Sequence, residues 1–173
     1  MDYKKIANTI LLQYSLPIYG RHGVSHWARV MAGGLKLAEK TGADQTIVRL
    51  FALFHDSRRE NEKMDHGHGA RGAEFLESLR DDLIQISDRQ FNLLHYACVY
   101  HTDGMTDADI SVQTCWDADR LDLGRIGVRP DPKFLCTDAA KDEKMIDWSV
   151  ARSKIRFSPS LIQTEWGIPP QNN

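Results

Sequence analysis

RLFALFHDSRRE, residues Arg49 to Glu60, is the stretch on which the fold turns. An apolar helical run, Leu50 to Phe54, ends abruptly in His55-Asp56, and Ser57, Arg58 and Arg59 follow. A His and an Asp are poor packing choices at the end of an apolar helix, because a buried charge must be paired or bound to a metal. Adjacent helical residues do not share a face. At a fraying helix end, however, both side chains can converge on one ion. An imidazole and a carboxylate together suit a first-row divalent metal. The alternative is a helix C-cap in which His55 bonds the last carbonyls. The pair alone leaves the two open.

The flanking sequence reads as helices separated by breakers. Tyr3 to Tyr14 carries Ile6, Ile10 and Leu11 at helical spacing, and Leu16 to Gly23 is a connector. Ser25 is the expected N-cap of a helix to Lys40, with Trp27, Val30, Met31, Leu35 and Ala38 on its apolar stripe. Gly33-Gly34 inside it predicts close approach of a neighbouring helix. Thr41-Gly42 ends that helix, and Asp44 caps the next, which runs to Phe54. Arg58 to Gly67 is a polar loop. Helices are expected from His68 to Leu79 and from Phe91 to Tyr100, the latter capped by Ser87. The run TCWDADRLDLGRIG is helical by content, and Thr137 to Lys154 is expected to form one last helix. The tail, rich in Pro and Asn, is expected over the surface or disordered. No alternating strand pattern rises above noise. The expectation is a single all-α domain over residues 1–173, a bundle of about six or seven helices.

Bulk properties narrow the function. The chain has 173 residues, 42% hydrophobic and 27% charged, which fits one globular domain with its own core. A net charge of -2 gives no global attraction to nucleic acid or an anionic membrane, so any phosphate binding must be local. The three cysteines, Cys98, Cys115 and Cys136, lack CxxC spacing, which argues against a disulfide framework or a Cys zinc site. The N-terminal apolar run is broken by Gln13 and Pro17 and is neither signal peptide nor membrane span. A cytoplasmic setting is the default expectation. No GxxxxGKS/T or GxGxxG run occurs, so neither a P-loop nor a Rossmann turn holds a nucleotide.

Histidines and aspartates recur at helix ends. His26 starts one helix, His68 opens another, His101 closes an apolar one, and Asp119 lies beside Cys115-Trp116 and Leu121. Taken singly, each has a bland role as a helix-terminal residue or a paired carboxylate. Together they stand where a bundle aims side chains inward, which is how metal sites in helical bundles are built.

The order His26, then His55-Asp56, then Asp119 in Ala118-Asp119-Arg120-Leu121 resembles the HD-domain superfamily, over roughly Ser25 to Arg125. The resemblance implies an all-α fold and metal-dependent phosphohydrolase activity. It implies that His26, His55, Asp56 and Asp119 bind a first metal. His68 before Gly72-Ala73-Glu74, and His101 before Asp103-Gly104, resemble the extra histidines of two-metal branches, with Asp56 bridging the ions. The runs SHWARV, LFHDSRR and CWDADRLDL are also similar to those of a group of small bacterial HD proteins. Ser57-Arg58-Arg59 departs from the Ile-Gly-Lys of the cyclic-dinucleotide phosphodiesterase branch, and Thr102 stands where that branch has a second His. The same ligand order also resembles di-iron HD oxygenases, and a third possibility is a non-enzymatic ligand-binding module.

The expected function is therefore hydrolysis of a small phosphate ester or nucleotide by a metal-activated water. One or two divalent ions would serve, Mn²⁺, Fe²⁺ or a similar transition ion, with Mg²⁺ also able to act. Asp56 is the expected catalytic carboxylate. Arg58 and Arg59 leave the doublet directly and are candidates to bind substrate phosphate, with Arg129 before Pro130 a weaker one. Arg120 is expected to brace a carboxylate. His22 and His66 read as loop residues near the mouth and His95 as packing.

Overall fold

Asp44 starts the central helix by accepting from the Thr46 and Ile47 amides at 2.8 and 3.4 Å. That helix, α3 (Gln45–Phe54), is buried on every side from Leu50 to Phe54, as a helix apolar all round must be. The computed structural model describes residues 1–169 and is all-helical, with nine α-helices and no strand among the described residues. Before α3 come α1 (Tyr3–Leu11) and α2 (Val24–Thr41). After it come α4 (His68–Ser78), α5 (Asp88–Tyr100) and α6 (Ile110–Arg120), with a 3-10 segment over Leu121–Ile126. The chain then forms α7 (Asp138–Lys141), α8 (Glu143–Lys154) and α9 (Leu161–Thr164). None of these helices is long and apolar enough to cross a membrane.

α2 lies against α3 and α6, and α4 pairs with α5. The main core gathers Trp27, Phe51, Phe54 and Trp116, all fully buried. A smaller cluster of Leu37, Leu121, Leu135, Met145, Ile146 and Val150 seats α8 on the 3-10 segment.

Three expectations need correction. α2 begins at Val24 with Gly23 as its cap, while the Ser25 hydroxyl faces Ser158 at 3.1 Å. The connector Leu16 to Gly23 folds back so that the Val24 amide donates to Ile18 O, which starts the helix early. The last helix is two helices, because Asp142 adopts an extended conformation and caps Lys144. This break and the short α9 raise the helix count above six or seven. The tail up to Pro169 is not a surface covering: Trp166, Ile162 and Ile168 are buried in the main core. Residues 170–173 of that tail lie outside the described residues.

The paired glycines of α2 have different jobs. A Cβ on Gly34 would stand 2.6 Å from Val48 Cγ1 and 3.3 Å from Ala118 Cβ, so this is where α3 and α6 press on α2. A Cβ on Gly33 would meet nothing within 4 Å. Gly33→Ala should therefore stabilise the fold by about 0.5–1 kcal/mol through helix propensity. Gly34→Ala should destabilise it by about 1–3 kcal/mol through overpacking. Urea denaturation of the two variants checks this, and shifts of the same sign would refute the assignment of the contact to Gly34.

Candidate metal centre

Four histidines reach the interior from helix ends, and a hydrogen bond fixes the tautomer of each. The His55 ring stacks on Phe51, and its Nδ1 lies 3.0 Å from Phe51 O. A carbonyl only accepts, so Nδ1 carries the proton and Nε2 a lone pair. His26 Nδ1 donates to Asp122 Oδ2 at 2.7 Å, leaving its Nε2 likewise bare. His68 Nδ1 donates to Asp65 O at 2.6 Å and His101 Nδ1 to Cys98 O at 2.7 Å. Gly69 permits that last pairing, since a Cβ there would sit 2.3 Å from Cys98 O and 3.0 Å from His101 Nδ1.

The bare nitrogens face one another. His26 Nε2 and His55 Nε2 are 3.1 Å apart, and His68 Nε2 and His101 Nε2 are 2.9 Å apart. Two lone pairs at that distance repel unless a cation or proton lies between them; at the second pair Arg59 Nη1 already donates to His68 Nε2 at 3.1 Å. Asp56 stands between the pairs. Its Oδ2 is 3.4 Å from His26 Nε2 and 3.7 Å from His55 Nε2. Its Oδ1 is 3.1 Å from His68 Nε2 and 3.8 Å from His101 Nε2. Asp119 Oδ1 completes the first group at 3.4 Å from His26 Nε2 and 3.8 Å from His55 Nε2. An ion about 2.1 Å from each donor has ligand–ligand edges of about 3.0–3.4 Å in octahedral or tetrahedral geometry. The donor separations fall around that range, so His26, His55 and Asp119 could hold one divalent ion and Asp56, His68 and His101 another, with Asp56 also grouped with His22 and His26.

All six expected ligands thus converge, although His26 and Asp119 are far apart in sequence. His22, expected to be a loop residue, joins them. It is buried, and its Nδ1 lies 2.9 Å from Asp56 Oδ2. It sits in the turn before α2, outside any helical repeat, so no spacing in the sequence could have found it. Asp122, three positions after Asp119, also lies outside the expected ligand set. It is buried, orients His26, and accepts from Arg29 Nε at 2.7 Å and Nη2 at 3.0 Å.

Of the arginines expected to bind substrate, Arg59 alone faces the centre. Backbone carbonyls of Asn61 and Lys63 anchor its guanidinium, whose Nη1 is 3.1 Å from His68 Nε2 and 3.4 Å from Asp56 Oδ1. Arg58 instead bonds Gln13 O and lies over the Phe75 ring. Arg129 is half-exposed and is held by Asp147 and Glu143, partners from α8. Local charge pairs and aromatic contacts captured both side chains. Arg120 does not brace a carboxylate: it donates to Phe134 O and Met105 O. His66 is exposed, and His95 packs near Phe91.

Protonation suits cation binding. Burial pushes the His55 imidazole from 6.5 down to about 3, and it lowers His22 as well. Burial alone would raise Asp56, but the histidines around it outweigh that and hold it well below the usual carboxylate range. The same opposition, with His55 and Arg125 foremost, lowers Asp119. His101 goes the other way: burial lowers it, but the carboxylates of Asp56 and Asp119 prevail. Comparison with family models, curated proteins and solved structures finds no match to the chain.

A pH dependence follows for the metal-free protein. Between about pH 3 and 6.5 the unfolded chain binds a proton at His55 that the folded chain excludes. Stability must therefore fall as pH drops through that window. His101 acts oppositely, contributing stability below 6.5 that is lost as pH rises through its elevated folded value. His55→Gln should flatten the acid-side slope of unfolding free energy by about one proton. Urea titrations of chelator-treated wild type and variant across pH 4 to 7 measure it (about three pH units, spanning the shift). An unchanged slope would mean that His55 is not the buried neutral group described.

Proposed function

We propose that this chain is a metal-dependent phosphohydrolase or phosphodiesterase acting on a small phosphate ester or nucleotide. The observation that carries this reading is the position of Asp56. One carboxylate oxygen faces the His26–His55 pair and the other faces the His68–His101 pair. In this reading His26, His55, Asp56 and Asp119 hold one divalent ion, and Asp56, His68 and His101 hold a second. Neutral imidazoles favour Mn²⁺, Fe²⁺ or a similar ion over Mg²⁺. Ions so held supply Lewis acidity: they bring the pKa of water towards neutrality and draw charge from a phosphoryl oxygen.

The protein's own groups do the rest. Arg59, fixed by two carbonyls, offers a rigid cation beside the second group and can neutralise a phosphate oxygen. His22 keeps a proton on Nδ1 against Asp56 Oδ2, which orients the shared carboxylate. Its Nε2 points towards Glu62 Oε2 at 3.9 Å, the nearest acid through which a proton can pass outward. Glu60 and Asp103 are both exposed, and Glu60 faces Arg71, so neither stands at the centre to carry a proton.

Elemental analysis after anaerobic purification tests the metal assignment. His55→Ala should lose the metal of the first group while circular dichroism stays helical. A His68→Ala, His101→Ala double variant should lose about one equivalent relative to wild type. Stoichiometric metal in His55→Ala would remove that residue from the ligand set.

Activity is tested separately, on a panel of phosphate esters and nucleotides with added Mn²⁺. Hydrolysis that fails in Asp56→Ala supports the proposal. A mixed-valent iron signal with no turnover of any phosphate ester would move the reading to an oxygenase.

A further inference from the structure

Beside the metal centre lies a second polar cavity of about 70 Å³. Arg21, Arg29, Arg125 and Arg156 line it together with Tyr19 and Ser25. Arginines crowded round one cavity repel one another, and carboxylates must offset that or an anion must enter. Here the carboxylates are largely committed elsewhere. Asp122 is engaged by His26 and by both Nε and Nη2 of Arg29, whose Nη1 donates to Phe157 O.

Arg125 is the telling member. Its side chain is 8% exposed, yet its Nε and Nη1 are buried and make no hydrogen bond. Its nearest carboxylate oxygens, on Asp122 and Asp119, stand beyond hydrogen-bond reach at 3.8 and 3.9 Å. A buried guanidinium with idle donors is costly, the more so because it is charged. The cost is recovered when an oxyanion meets those donors.

Arg156 gives an independent indication. It is the one non-glycine residue with positive φ among the described residues, at 51°. It follows the end of α8, where its amide donates to Ser153 O and that of Phe157 to Arg152 O. This is the Schellman closure, whose left-handed position glycine normally fills. An arginine there is strained where a glycine would not be. The gain for that cost is a cation at the rim of the cavity.

We infer that this cavity is a subsite for a phosphate-class anion on the substrate, distinct from the phosphoryl group that meets the metals. Arg125 forms the shared wall, since its Nη2 lies 3.9 Å from Asp119 Oδ1. Arg21 and Arg156 close the outer side. The substrate class is then a molecule with two phosphate groups, one at the metal centre and one among the arginines. This inference deepens the phosphohydrolase reading and rests on it for the word substrate, but the anion site itself does not need the metal.

The test is calorimetric titration of inorganic phosphate into the full chain with chelator present, so that metal makes no contribution. Wild type should bind, and affinity should fall as salt rises. Arg125→Gln and Arg156→Gly should each weaken binding by roughly tenfold or more, the scale of one charge-assisted contact. Arg156→Gly should also melt at or above the wild-type temperature, because glycine relieves the strained φ. That separates loss of a ligand contact from loss of fold, and it decides the matter if Arg125→Gln proves unstable. His55→Ala should keep phosphate binding. No binding by wild type, or binding unchanged in Arg156→Gly, overturns the subsite. Binding lost in His55→Ala overturns its independence from the metal centre. Intact phosphate binding with no metal-dependent hydrolysis would sink the phosphohydrolase reading alone.

Discussion

The mutual facing of unprotonated imidazole nitrogens is the constraint on which the centre depends. Each ring gives its Nδ1 proton to a fixed acceptor: the carbonyls of Phe51, Asp65 and Cys98, or the Asp122 carboxylate. These acceptors are backbone or buried, so the tautomers cannot exchange without breaking a desolvated hydrogen bond. The bare nitrogens are then held near 3 Å apart in two pairs, at 3.1 and 2.9 Å. A protein core rarely tolerates such a contact unless something positive belongs there. The buried His and Asp groups could thus hold a cation, and the helices around them supply the rigidity.

Charge balance sharpens that conclusion. Asp56, Asp119 and Asp122 are the three carboxylates of the centre. Arg29, Arg59 and Arg125 are guanidiniums beside them, each less than a tenth exposed at the side chain. Counting carboxylates and guanidiniums alone, these charges cancel, so divalent ions would leave the centre positive and attractive to a phosphate. The arginine-lined cavity extends the same field outward. A chain with net charge -2 can therefore draw an anion to one place without a basic surface.

The outer helices matter because they hold the carboxylates in register. Asp117 accepts from the Cys136 and Thr137 amides and the Thr137 hydroxyl, which pins the chain after the 3-10 segment back onto α6. α8 then packs over that segment, and Arg29 reaches across to Phe157 O. Asp119 and Asp122, three positions apart where α6 passes into the 3-10 segment, lie on one side of the chain, so Asp122 faces His26 Nδ1 while Asp119 faces the His26–His55 nitrogens.

Local rules made much of this legible in the sequence. Asp44 and Ser87 are caps because their short polar side chains match the free amides of a helix start. His55, His68 and His101 stand at helix ends because apolar periodicity stops or starts there. Such signals act over a few residues, so the all-α class and the placement of these histidines at helix ends could be read before any coordinates. Partner choice could not be listed. His26 finds Asp122 across 96 positions, and His22 finds Asp56 across 34. Among Arg58, Arg59 and Arg129, nothing local says which turns inward. A long flexible side chain goes wherever packing leaves an acceptor or a ring, and only the crossing of α2, α3 and α6 determines where those lie. The sequence by itself determined which groups could bind a cation; the tertiary structure decided which of them meet, because their separations depend on helix packing and not on spacing along the chain.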